Sequence, residues 1–151
     1  MEAHSNLGVV LEELGEYQKA ISHFQKAIQI NPNFVQAYSN LGVVFGKLGE
    51  YQKSLSHLNK AIQIQPNYAE AYNNLGMTLN ELKEFKKAKD CYEKAIEIKP
   101  NYAAAHNSFG NVLKKLGEHQ KAIKHFQKAI QIKPNFVESY NNLGLVFDEL
   151  G

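Results

Sequence analysis

A single cysteine, Cys91, in 151 residues leaves no second thiol for an intramolecular disulfide. The fold must therefore rest on a packed core, and a reducing, cytoplasmic setting is the expectation. No uninterrupted apolar stretch approaches the roughly 20 residues that span a bilayer, and the opening Met1-Glu2-Ala3-His4 lacks the basic and apolar pattern of a signal peptide. Both absences argue against a membrane partner. Neither sign of charge dominates: 17 basic residues face 15 acidic ones, a formal net charge of +2, so no large field steers the chain onto nucleic acid. What the chain does have is enough apolar material, 44% of its residues, to bury a continuous core at this length.

Prolines are few, but their placement carries the most information. Pro32, Pro66, Pro100 and Pro134 stand 34 residues apart, each followed by asparagine and then by Phe34, Tyr68, Tyr102 or Phe136. Gly8, Gly42, Gly76, Gly110 and Gly144 repeat on the same period, as do the small residues Ala20, Ser54, Ala88 and Ala122 and then Ala27, Ala61, Ala95 and Ala129. Several independent columns agree, which chance does not produce.

Within one period the apolar residues fall at helical spacing. Leu7, Val10, Leu11 and Leu14 form one stripe; Tyr17, Ala20, Ile21, Phe24, Ala27 and Ile28 form a second. Each repeat is thus two amphipathic helices, expected over residues 2–14 and 17–30 and again in every period. Gly15, Gly49 and Gly117 follow the first stripe, where a left-handed residue closes a helix, and the prolines stop the second. Lys83 takes the glycine's place in the third repeat, at a cost on the order of 1 kcal/mol if the backbone there is left-handed. Gly8 and Ala20 are small so that the paired helices can approach with Phe24 between them.

Leu7, Gly8, Ala20, Phe24, Ala27 and Pro32, with Tyr17 at the turn, resemble the signature columns of the tetratricopeptide repeat family, and they return along the whole chain. The resemblance implies an all-α, right-handed α-solenoid of 34-residue helix-turn-helix repeats, with first helices lining a concave groove that holds peptides. As one domain, residues 1–151 divide into repeats 1–34, 35–68, 69–102 and 103–136 and the first helix of a fifth, 137–151. The chain reads as a short member or an excerpt of a longer array. In this arrangement Tyr140, Leu143 and Phe147 lack a covering helix, so end-to-end homo-oligomers through the terminal helices, or a reorganisation of this terminus, are expected.

Helical geometry directs the second, fifth, sixth, ninth, twelfth and thirteenth positions of each first helix to the groove. The sixth position reads Asn6, Asn40, Asn74, Ser108 and Asn142. A carboxamide offers a donor and an acceptor, the complement of a peptide unit, so such a ladder can grip an extended backbone without reading its side chains. It is similar to the asparagine ladder in the repeat domain of the O-linked N-acetylglucosamine transferases, although no transferase domain is present in these residues. The alternative is an asparagine column that is solvated or bonded to a neighbouring helix. Asn73, Asn107, Asn141 and Asn111 extend the amide-rich surface, while Val9, Val43, Met77 and Leu145 make an apolar ninth column, open to a ligand's side chains or buried between helices. Among groove charges, Lys47, Lys114 and Lys115 oppose Glu2, Glu12, Glu13, Glu70, Glu81, Glu138, Asp148 and Glu149, which favours a partner with basic character at the two ends. The lysine clamp of a chaperone-tail-binding subclass is missing, because the fifth position holds serine and asparagine.

Nothing assembles into an active centre. His23, His57, Cys91 and His125 share one repeat column and so sit on successive second helices, about 8–10 Å apart, too far to share a metal at about 2 Å. His4 and His106 fill a column otherwise occupied by Tyr38, Tyr72 and Tyr140, and read as packing residues. No cofactor, metal or catalytic residue is expected. The function that follows is a peptide- or protein-binding scaffold; a self-assembly module, or the substrate-recruiting arm of a larger glycosyltransferase-type protein, are the alternatives.

Overall fold

A computed structural model describes residues 1–151. Nine helices follow one another without a strand: α1 (Glu2–Glu13), α2 (Tyr17–Ile30), α3 (Val35–Lys47), α4 (Tyr51–Ile64), α5 (Ala69–Glu81), α6 (Phe85–Ile98), α7 (Ala103–Lys115), α8 (His119–Ile132) and α9 (Val137–Leu150). The first helix of each repeat therefore begins 33 or 34 residues after the last, as the proline period requires.

The turns obey the local chemistry read from the sequence. Gly15, Gly49 and Gly117 adopt φ of +76°, +73° and +76°, and Lys83 is held at +60°. In each of these turns the following amide reaches back into the helix, Glu16 to the Leu11 carbonyl at 2.8 Å and Glu84 to the Leu79 carbonyl at 2.9 Å. This closes carbonyls that the helix end would leave unpaired. Lys83 makes the same closure without glycine's freedom, so its turn stores strain on the order of 1 kcal/mol.

Packing within a repeat is a bulky side chain set into a glycine. Phe24, Leu58, Tyr92 and Phe126 are all essentially fully buried. A methyl group placed on Gly8, Gly42, Gly76 or Gly110 would come within 2.6, 2.4, 2.8 or 2.6 Å of them respectively. Such distances are far inside van der Waals contact, so the glycine's helix penalty of about 1 kcal/mol is offset by close approach of the pair. Between repeats, each second helix packs on the next first helix, burying Ala37, Leu41 and Val44 of α3 and Ala105, Phe109 and Val112 of α7. Buried hydroxyls stitch one of these junctions: Ser54 Oγ donates to the Gly42 carbonyl at 2.7 Å and lies 2.8 Å from Thr78 Oγ1.

The curvature follows from who touches whom. First helices touch first helices of adjacent repeats, α1 on α3, α3 on α5, α5 on α7 and α7 on α9, whereas no two second helices meet. The first helices therefore occupy the inner side of the coil and the second helices its outer side. At the ends the pattern stops, leaving Leu7 and Val10 exposed on α1 with Leu14 just after it, and Val137, Tyr140 and Phe147 exposed on α9.

Candidate peptide-binding groove

Adjacent first helices set the side chains of the inner face in rows, and the ladder residues fall into two groups. Asn6 is exposed and Asn40 half-buried, and neither side chain makes a hydrogen bond within the chain. Asn74 and Asn142, also half-buried, each give one amide hydrogen to the preceding repeat: Asn74 Nδ2 donates to Ser39 Oγ at 3.2 Å and Asn142 Nδ2 to Asn107 Oδ1 at 3.1 Å. Each still has an N–H turned elsewhere, so the column is partly structural and partly free. Asn111 is half-buried and Asn141 exposed; Val9 and Val43 are half-buried, while Met77 is 49% exposed.

In the four repeats that are followed by another first helix, the fifth position does not face the groove. Asn73 and Asn107 are only 4% and 3% exposed, wedged against the next first helix, as are Ser5 and Ser39 in their own repeats. Asn107 is satisfied there: its Nδ2 donates to Glu138 Oε1 at 2.9 Å, and Ser139 Oγ donates to its Oδ1 at 2.9 Å. Asn73 is not. Its Nδ2 reaches Asn74 Oδ1 at 3.4 Å, but its buried Oδ1 has no donor, because Ala105 and Ser108 stand where the next junction has Ser139 and Asn142. Helical periodicity could not separate the fifth from the sixth position; burial by the adjacent repeat does.

The middle of the inner face holds a cavity of about 450 Å³. Val43, Gly46 and Lys47 of α3, Asn74, Met77, Thr78, Asn80 and Glu81 of α5, and Ser108 and Asn111 of α7 line it, with Tyr51 and Tyr92 reaching in from the second helices. It opens at the one rung of the ladder that lacks a carboxamide, Ser108, whose side chain lines it together with Tyr92. Burial raises the Tyr92 phenol above its ordinary range, and the nearby Glu81 carboxylate pushes it the same way. The phenol therefore stays protonated and neutral.

Groove charges are tied diagonally from one repeat to the next. Lys47 pairs with Glu12, Lys115 Nζ donates to Asn80 Oδ1 at 2.9 Å, and Lys114 Nζ lies 3.3 Å from Glu149 Oε1. Glu12, Glu138 and Glu149 at the two ends are thus answered internally, whereas Glu2, Glu13 and Asp148 make no ion pair or side-chain hydrogen bond.

Four of the six histidines meet in two pairs at the junctions between paired helices, in a way the repeat column conceals. His4 Nδ1 is 3.1 Å from His23 Nδ1, and His106 Nδ1 is 2.9 Å from His125 Nδ1, with His106 Nε2 3.0 Å from the Pro100 carbonyl. The ring nitrogen facing Pro100 must carry a proton, so His125 donates within its pair. Both rings of this pair titrate below the ordinary histidine value: burial lowers His106, and burial followed by repulsion from His106 lowers His125 to about 4. Comparing columns one at a time hid these contacts, which run between two different columns 19 residues apart.

Paired helices stacked with all first helices inward define a helical-repeat solenoid with a single concave surface. Family profiles described as tetratricopeptide repeat match residues 2–34, 33–101 and 91–124, and one described as TPR repeat matches 110–151. The chain belongs to the tetratricopeptide repeat family. Among solved structures it is similar to MamA, at 31% identity over 95% of this chain and 84% of that one with a TM-score of 0.79. It is also similar to TTC0263, a thermophilic TPR protein of Thermus thermophilus, at 25% identity over 99% and 82% with a TM-score of 0.89. Pseudomonas aeruginosa PilF shares the fold, with a TM-score of 0.90 at 22% identity over 98% of this chain and 68% of that one. No curated protein sequence matches the chain. No helix is long and apolar enough to cross a membrane.

Proposed function

We propose that this chain is a non-catalytic scaffold that holds an extended segment of another polypeptide along its inner face, with the sixth-position asparagines gripping the backbone. The observation that carries the reading is the unspent hydrogen-bonding capacity in that row. Asn40 makes no side-chain bond within the chain, and Asn74 and Asn142 each spend one amide hydrogen on the preceding repeat. A polar group half-removed from water and left unpaired gains from a partner that supplies the missing bond, at about 0.5–1.5 kcal/mol each. Val43 and Met77 beside them give apolar contact for side chains that leave the backbone on that side.

The test is binding of an extended-peptide library to the wild type and to Asn40→Ala/Asn74→Ala/Asn142→Ala at matched oligomeric state. Loss of at least about tenfold in affinity with the helical content kept is expected from three lost bonds. Equal binding by both, or by neither, would remove the asparagines from the reading. A second reading, self-assembly through the ends, is favoured by one observation: the face of α9 bearing Tyr140 and Phe147 is uncovered, with nothing within 4 Å of a methyl placed on Gly144.

A further inference from the structure

We infer that the central cavity of the groove is a subsite for a cationic side chain, lysine or arginine, of the bound peptide, with Glu81 as its counter-charge; this rests on the groove-binding reading above. The argument starts from the diagonal ties. The twelfth position of one first helix bonds the thirteenth position of the next, Glu12 to Lys47, Asn80 to Lys115 and Lys114 to Glu149. The remaining diagonal joins Gly46 to Glu81, and glycine has no side chain to offer. Glu81 is consequently the one thirteenth-position group of the four inner junctions that makes no ion pair or side-chain hydrogen bond, and it is exposed at the end of α5.

Gly46 does two things at once. It withholds the partner that Glu81 would otherwise have, and it leaves free the room that a long side chain at this position would fill, a methyl there already lying at ordinary contact distance from Ser54 Oγ at 3.5 Å and Thr78 Oγ1 at 3.7 Å. The result is a cavity of about 450 Å³ with a free carboxylate on its wall. The lysines on either side in the same position do not neutralise it. Lys47 is turned back to Glu12, and Lys115 is turned back to Asn80 with its ammonium over the Phe85 ring at 5.2 Å.

The rest of the lining suits a long basic side chain. Val43 and Met77 offer apolar surface to its methylenes, and the carboxamide of Asn111 offers an acceptor to its N–H groups. An acidic side chain would meet the Glu81 carboxylate, and an apolar one would leave that carboxylate unanswered. The preference is a difference between side chains, superimposed on a backbone grip that does not discriminate.

The experiment uses short labelled alanine–serine peptides carrying one central lysine, norleucine or glutamate, titrated by fluorescence anisotropy against the wild type, Glu81→Gln and the triple asparagine variant. We expect the wild type to bind the lysine peptide about three- to tenfold more tightly than norleucine, with glutamate weakest, and the advantage to shrink as salt is raised. Glu81→Gln should erase the lysine advantage while the norleucine peptide binds as before. Equal lysine and norleucine affinities in the wild type, or a lysine advantage that survives Glu81→Gln, would overturn the subsite. The norleucine peptide judges the groove separately: if the asparagine variant binds it as well as the wild type does, the backbone grip fails, whatever Glu81 does. If no peptide binds the wild type, both readings fall.

Discussion

Alanine at Gly110 would put its methyl 2.6 Å from the ring of Phe126, which is fully buried and has nowhere to go. Gly110→Ala should therefore destabilise the chain by about 1–3 kcal/mol. The same change at Gly144, in the same repeat position, meets nothing within 4 Å and should stabilise by up to about 1 kcal/mol through helix propensity. Urea unfolding of the two variants checks both signs; a shift in the same direction would refute the packing account. A second prediction concerns the orphaned Asn73 oxygen. Ala105→Ser would place a hydroxyl where Ser139 serves Asn107 at the next junction, and should stabilise by about 1 kcal/mol. The glycine column was legible in the sequence because close approach demands the same residue each time. The fate of Asn73 and Asn107 was not, since it depends on which neighbour lies across the next junction, and a helical wheel holds no neighbour.

Whole helices respond to acid through the His106–His125 contact between α7 and α8. The His125 ring also lies against Phe109, with centroids 4.3 Å apart, and Lys128 adds a small repulsion on His106. Because burial holds both imidazoles below the ordinary value of 6.5, and His125 at about 4, the unfolded chain takes up protons that the folded pair refuses. The stability they contribute is complete above about pH 6.5 and is lost as the pH falls towards 4. Thermal unfolding followed across that range should show a decline that His125→Gln flattens; an unchanged profile would mean that this helix pair is not the acid-sensitive one. At the same position of α6, burial, with Asp90 adding to it, lifts the Cys91 thiol to about 11, so it remains protonated and poorly nucleophilic at neutral pH. The helices and their turns could be read from the sequence to within a residue or two, Lys83 included, because caps and periodicity are local. The histidine contacts join two columns, and only the pairing of helices brings them together.

At the scale of the molecule, each repeat is stabilised by its neighbours, so the ends are the weakest units. α9 buries only Ser139 and Val146 and leaves Val137, Tyr140 and Phe147 open. Amide hydrogen exchange should be fastest in α9 and slowest in α4 to α7, a gradient that uniform global opening would not give. If the uncovered face drives self-assembly, sedimentation should show concentration-dependent association that Phe147→Glu abolishes with helicity intact. A wild type that stays monomeric throughout would eliminate the second functional reading.

The missing diagonal at Gly46 also has a mechanical meaning. The second and third repeats are fastened on the inner side by Asn74 to Ser39, but not at Glu81, seven residues further along the same helix, about 10 Å away. Between those two points the buried Ser54–Thr78 contact, at 2.8 Å, holds the same two repeats together one turn before Glu81, so the junction is fastened through its depth and untied only at its last turn. The turn of α5 that carries Glu81 is thus held by its neighbours while its own carboxylate stays untied, so a guest's charge would be met from a fixed support.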